Sequence, residues 1–205
     1  MDASTCSEED KSVINSVSWD DLICKNKYIN KHKKSKSDIH SFCSLVNRPL
    51  TQSQNVTLGI CMEQIFKDYI ANNTVLKDIS QNGSHKKGER QKDHMWLNES
   101  KKEIIYAEQK NNINLDTEKS LSTQEKVLEI SKKYPEHKIS AYILATRYLH
   151  SSEADASRII KAKYKNTKVI GVNEYLELFG LTPIADYDSY KKVIMKIVQA
   201  KFGND

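Results

Sequence analysis

Asp93-His94-Met95-Trp96-Leu97, followed after a polar connection by Ile104-Ile105-Tyr106-Ala107-Glu108-Gln109-Lys110, is the stretch that decides how this chain folds. The second segment is rich in β-branched and aromatic residues and free of Gly and Pro, so it reads as a strand. Asn98 to Lys102 has the composition of a hairpin turn. Side chains two apart share a face, which puts Ile104, Tyr106, Glu108 and Lys110 together. In an antiparallel pair, Asp93 at the start of the first strand then lies near Glu108 and Lys110 at the end of the second. A strand packed on a core has no structural need for Glu-x-Lys on its apolar face, because unpaired buried charge is costly. Two acids and a lysine brought together there make a site for one divalent metal and one activated water, equipment suited to cutting a phosphodiester. The plainer alternative, in a chain with 29% charged residues, is a solvated strand edge.

Around these residues stand Lys86-Lys87-Gly88-Glu89-Arg90-Gln91-Lys92 before the aspartate and Asn111-Asn112-Ile113-Asn114-Leu115-Asp116-Thr117-Glu118-Lys119 after the lysine. From Lys87 to Lys126 the chain resembles the core of type II restriction endonucleases of the PD-(D/E)XK superfamily. It departs from that pattern in having Lys92, rather than proline, before the aspartate. The resemblance implies that Asp93 and Glu108 ligate Mg²⁺ with help from the backbone carbonyl of Gln109, while Lys110 positions and polarises the attacking water. A lysine beside two carboxylates has its charged form favoured, so Lys110 is read as an electrostatic and hydrogen-bonding group, not a free base.

Many members of the superfamily also carry a glutamate on a helix ahead of the metal aspartate. Here Gln54 to Ala71 has Leu58, Met62, Ile65 and Tyr69 at helical spacing, with Cys61 and Phe66 widening the stripe. Glu63 lies on its flank, either directed at the metal site, as the family pattern suggests, or simply solvated.

Net charge is +5, and its distribution says more than its size. Lys25, Lys27, Lys31, Lys33, Lys34 and Lys36 crowd one polar segment, and Lys87 and Arg90 approach Asp93. Asn111, Asn114 and Lys119 follow the catalytic lysine, so these five residues are the expected DNA contacts, against the alternative of ordinary loop and helix-cap chemistry. Arg147 and Tyr148 are weaker candidates. Cys6, Cys24, Cys43 and Cys61 lack C-x-x-C spacing and read as free thiols in a reducing compartment rather than a zinc site. Mean hydropathy of −0.66, no long apolar run and no secretory layout at the N-terminus suggest a cytoplasmic protein without a membrane span.

Punctuation along the chain gives an N-terminal basic arm or small helical cap over 1–50, containing a helical island at Ser18–Ile23, and a catalytic domain over 51–205. Ser122 with Glu125 resembles a capping box, opening a helix that ends before Pro135. Lys138 to Leu149 reads as a buried strand and Ser152 to Tyr164 as a charged helix. Lys168–Val172 is a short strand, Asn173 a helix cap, and the segment from Asp188 a last amphipathic helix. The expected fold is α/β: a central mixed sheet flanked by helices, restriction-endonuclease-like. The resemblance further implies a Mg²⁺-dependent, sequence-specific double-stranded DNA endonuclease acting as a homodimer on a short palindromic site, with a cognate DNA methyltransferase in the same host system. A repair or junction-type nuclease of the superfamily and a non-catalytic nucleic-acid-binding module are the alternatives.

Overall fold

A computed structural model describes residues 18–25, 50–80, 90–111, 117–152 and 167–203, with backbone alone for 24–25 and 117–120. In chain order its elements are α1 (Trp19–Lys25), α2 (Gln52–Asn73), β1 (Lys77–Asp78), β2 (His94–Asn98), β3 (Glu103–Lys110), α3 (Thr117–Lys133), β4 (Lys138–Ala145), β5 (Lys168–Ile170), α4 (Val172–Glu177) and α5 (Tyr187–Phe202). The strands form one mixed sheet in the order β1-β2-β3-β4-β5. β1, β2 and β3 are an antiparallel meander, whereas β3, β4 and β5 run parallel. That change of direction requires a long crossover, which α3 supplies between β3 and β4.

Alternation along β2 and β3 sorts the core into two layers. Met95, Leu97, Ile104 and Tyr106 face α3 and its Ile130, while Trp96, Ile105 and Ala107 face α2, α4 and α5. Trp96 is fully buried and donates its indole N–H to the Tyr175 hydroxyl at 3.2 Å. On the same side Trp19 of α1 stacks on Tyr69, and Ile23 joins the core, so this part of the N-terminal region packs on the domain.

Several expected boundaries move. α2 is longer than 54–71 because Thr51 and Gln54 form a reciprocal capping box at its start. α3 already begins at Thr117, so Ser122 and Glu125 lie inside the helix and are not its cap. β4 stops at Ala145 instead of Leu149, where Thr146 turns out of the ladder while still donating its N–H to the Lys110 carbonyl. Asn173 does not cap α4: Gly171 holds that position, and the Asn173 amide instead pairs with both backbone groups of Ile184. Gly171 is required there because a Cβ would meet the Leu149 carbonyl oxygen at 2.7 Å. α5 starts at Tyr187, with Asp186 accepting from the Ser189 N–H. The helix expected through Tyr164 lies outside the described residues beyond Ser152. Among the described residues no helix is long and apolar enough to cross a membrane.

Candidate active site

Asp93 directly precedes β2 and continues the register that sets His94 opposite Ala107, so it stands across from Glu108. Its Oδ2 accepts the backbone N–H of Gln109 at 2.8 Å. A strand residue points its N–H and C=O toward the same neighbour. The Gln109 carbonyl therefore faces the side on which β2 has ended, where the Asp93 carboxylate lies.

Glu108 is buried, and its own chain surrounds it. Tyr106 donates to Oε2 at 2.5 Å, Lys110 Nζ to Oε1 at 2.7 Å, and Lys126 Nζ, from α3, to Oε1 at 2.8 Å and Oε2 at 2.7 Å. These four bonds use the acceptor capacity of a carboxylate, roughly four lone-pair sites. Burial alone would raise the Glu108 carboxyl, but Lys110 and Lys126 outweigh it and hold the group below the ordinary carboxylate range. Asp93 moves the other way. Burial, then the charges of Glu108 and Glu63, push its carboxyl up to about 7 against the pull of Lys110 and Lys126.

Glu63 comes from α2, on the opposite face of the sheet. Lys67, one turn on and only 2% exposed, donates to it at 2.7 Å. The fold thus brings Asp93, Glu108, Gln109, Lys110 and Glu63 to one end of the β2–β3 pair. Gln109 also ties β3 to α2: its side-chain N–H donates to the Gly59 carbonyl at 2.9 Å, and its amide oxygen lies 3.1 Å from His94 Nε2. Because that oxygen can only accept, His94 Nε2 carries the proton and Nδ1 is left as a buried acceptor without a partner among the described residues. Gly59 costs about 1 kcal/mol relative to alanine in a helix. A Cβ there would stand 3.2 Å from the Asn111 amide nitrogen, so a side chain at 59 would press on the residue that follows β3.

Among the described residues no three His, Cys, Asp or Glu side chains form a ready metal cage. The donors present are Asp93, Glu108 and the Gln109 carbonyl, with Glu63 near enough to act on Asp93 electrostatically. These hard oxygens suit Mg²⁺, which keeps several waters and needs only one or two protein carboxylates. The charge repulsion that adds to burial in raising Asp93 is of the kind a divalent cation relieves. Ligation by Glu108 requires one of its ammonium partners to give up an oxygen.

The expected DNA contacts are placed unevenly. Arg90 pairs with Glu125 and Glu129 of α3, at 2.7 and 3.1 Å, and Lys92 with Glu129 at 2.8 Å, clamping the approach to Asp93 onto the crossover helix. Arg90 would reach a phosphate only by exchanging these partners. Asn111 uses its amide oxygen to accept from the Thr146 hydroxyl at 2.6 Å. Arg147 is exposed just beyond β4, the strand beside Lys110. Lys87, Asn114 and the lysines from 27 to 36 lie outside the described residues, as does the Lys119 side chain. Cys61 is a buried free thiol whose pKa is raised by that burial. The other cysteine side chains lie outside the described residues.

Reading the sequence missed Lys126, the Tyr106 hydroxyl, Lys67 and the His94–Gln109–Gly59 tie. Lys126 left one signal: it falls on the same helical face as Thr123 and Ile130, a charge within a buried stripe.

The neighbours Asp93 and His94 have opposite effects on stability. Between about pH 4 and 7 the fold holds a proton on Asp93 that the unfolded chain, with an ordinary value of 3.8, releases, so stability falls as pH rises. Burial and Lys67 lower His94 from 6.5 to about 3, so over that window the unfolded chain binds a proton the fold excludes and stability falls as pH drops. The two contributions offset each other. Asp93→Asn removes the first, and without divalent ion its urea-unfolding free energy should fall by about 2 kcal/mol more than that of the parent between about pH 6.5 and 4.5, given 1.36 kcal/mol per proton and pH unit. Parallel pH profiles for the two proteins would show that the Asp93 carboxyl is not raised in the fold.

Comparison with protein-family models, curated proteins and solved structures returned no match.

Proposed function

We propose that the chain is a Mg²⁺-dependent double-stranded DNA endonuclease of the PD-(D/E)XK type, cutting at a specific short palindromic site as a homodimer. The observation that carries this reading is the meeting of Asp93, Glu108 and Lys110 at the end of a strand pair, with Glu63 acting from α2. The mixed sheet and the parallel β3–α3–β4 unit support it as the expected frame. What the ion supplies, when bound, is Lewis acidity toward a water and a phosphate oxygen.

The chain's own residues do the rest. Asp93, Glu108 and the Gln109 carbonyl furnish oxygen donors. Gln109 fixes the Asp93 carboxylate through its N–H, and Lys67 holds Glu63. Lys110 is partly exposed and is held by one 2.7 Å bond, which suits an ammonium that turns to stabilise charge on the reacting phosphate. The homodimer follows from symmetry, since a twofold axis relates two identical sites as a palindrome relates its two strands.

One observation favours a second reading, a nucleic-acid-binding module without catalysis: every acceptor site of Glu108 is taken by its own chain. Incubating the protein with a plasmid of known sequence in Mg²⁺ and in EDTA, and mapping fragment ends, separates the readings. Discrete ends formed only with Mg²⁺ support the restriction-type enzyme, and structure-dependent cutting supports a repair or junction nuclease. Binding without cutting leaves the module.

If the nuclease reading holds, Lys110→Ala should cleave at least about a hundredfold more slowly, the loss expected for one preorganised charge at the reacting centre. Lys110→Arg should recover little, because the guanidinium is planar and larger. Full activity in the arginine variant would reduce Lys110 to a diffuse positive charge.

A further inference from the structure

We infer that Lys126 is a positioning residue, the fixed counter-charge of Glu108, and that its presence releases Lys110 for the substrate. The role given to Lys110 rests on the nuclease reading above, but the division of labour between the two lysines is a property of the fold.

Two ammonium groups share one carboxylate, and they are not equivalent. Lys126 reaches Glu108 from α3, bridges both oxygens at 2.8 and 2.7 Å, and has a side chain 11% exposed. It is buried one turn before Ile130 of the smaller core layer, and the carboxylate it bridges also accepts from Tyr106 of that layer. Lys110 is the last residue of β3, touches Oε1 alone, and is 22% exposed. If Lys110 swings away, Glu108 keeps Tyr106 and both bonds from Lys126, and the buried pair stays neutral. If Lys126 leaves, a buried ammonium loses its counter-charge, which is the costlier change. Motion at this carboxylate therefore falls to Lys110.

Removing Lys126 reverses that arrangement. Glu108 is then left with Tyr106 and Lys110, and Lys110 becomes the sole cation on a buried carboxylate. It is held there and withdrawn from any other partner. An arginine at 126 can restore the bridge, because its fork matches two carboxylate oxygens.

The test is a double-mutant cycle on the full chain. Lys126→Met should slow Mg²⁺-dependent cleavage at saturating DNA about thirtyfold with KM changed less than about twofold. Lys110→Ala/Lys126→Met should be no more than about threefold slower than Lys110→Ala alone, since coupled groups are non-additive. Lys126→Arg should return to within about threefold of the parent, unlike Lys110→Arg. Independent, multiplying losses in the double variant would overturn the proposal. So would a Lys126→Met protein that melts lower but cuts normally.

A second readout does not depend on cleavage. In ¹⁵N-lysine spectra of the unsubstituted protein, the Lys126 ammonium should be protected from exchange and unmoved by Mg²⁺, while Lys110 shifts on Mg²⁺ addition and exchanges fast. In Lys126→Met, or in Lys126→Ala if that folds better, the Lys110 ammonium should become the protected one. A Lys110 signal protected from the outset, or a Lys126 signal lost on adding Mg²⁺, would sink the assignment even if Lys126→Met fails to fold. Absence of any Mg²⁺-dependent cutting by the unsubstituted protein would instead remove the nuclease reading, and the spectra would still decide which lysine is fixed.

Discussion

Asp93→Asn should abolish Mg²⁺-dependent cleavage, lowering the rate by about a thousandfold or more, while the protein folds normally. The reason lies in what asparagine keeps and what it removes. Its amide oxygen can still accept the Gln109 N–H that Asp93 accepts at 2.8 Å, so the end of β3 stays in place. The substitution also removes the carboxyl that burial, and then repulsion from Glu108 and Glu63, push up to about 7. What is lost, on the proposed nuclease reading, is an anionic donor for the cation. A thousandfold is about 4 kcal/mol of transition-state stabilisation, of the size expected when a metal or a preorganised charge is removed. Affinity for DNA, measured in Ca²⁺ or without divalent ion, should change little. Near-normal cleavage by the purified variant would remove Asp93 from the site.

Glu108→Ala should unfold the protein more readily, by about 3–5 kcal/mol in urea, because it strands a buried ammonium. Lys110 can turn toward solvent, but Lys126 is anchored in the layer between α3 and the sheet. Adding Lys126→Met to Glu108→Ala replaces the stranded charge with an apolar chain of similar length and should recover more than half of the lost stability. If the double variant is no more stable than Glu108→Ala, the cost is that of a cavity and lost packing, not uncompensated charge. Glu108→Gln, which keeps the shape, is the better variant for cleavage, where a loss comparable to that of Asp93→Asn is expected.

How much of this was legible beforehand depended on the range of the interactions. β2 and β3 were readable because alternation with a period of two is local, and their register followed from the position of a polar turn. That register sets Asp93 opposite Glu108, so the acidic pair could be deduced from the sequence. α2 and α5 were readable from apolar stripes, with errors confined to caps, since Thr51 and Asp186 lie just outside the periodic run. For the start of α3, the capping-box spacing of Ser122 and Glu125 misled, because that pattern also occurs inside helices, whereas the alternative helix-cap reading of the segment ending at Lys119 agrees with a start at Thr117.

The amino-acid sequence by itself determined the mixed α/β frame, the hairpin and the shared face of Tyr106, Glu108 and Lys110, because each follows from the geometry of a few neighbouring residues. Only the tertiary structure decided which charges neighbour one another across elements. Lys126 lies 18 residues after Glu108 and reaches it only because the α3 crossover returns over the sheet. Glu63 acts on Asp93, and Gln109 reaches Gly59, only because α2 packs on the opposite face. Arg90, which looked like a phosphate ligand, meets Glu125 and Glu129 because they lie on α3, the crossover helix. Coulombic energies and hydrogen bonds depend on separation in space, and the sheet's crossover sets that separation for residues far apart in the chain.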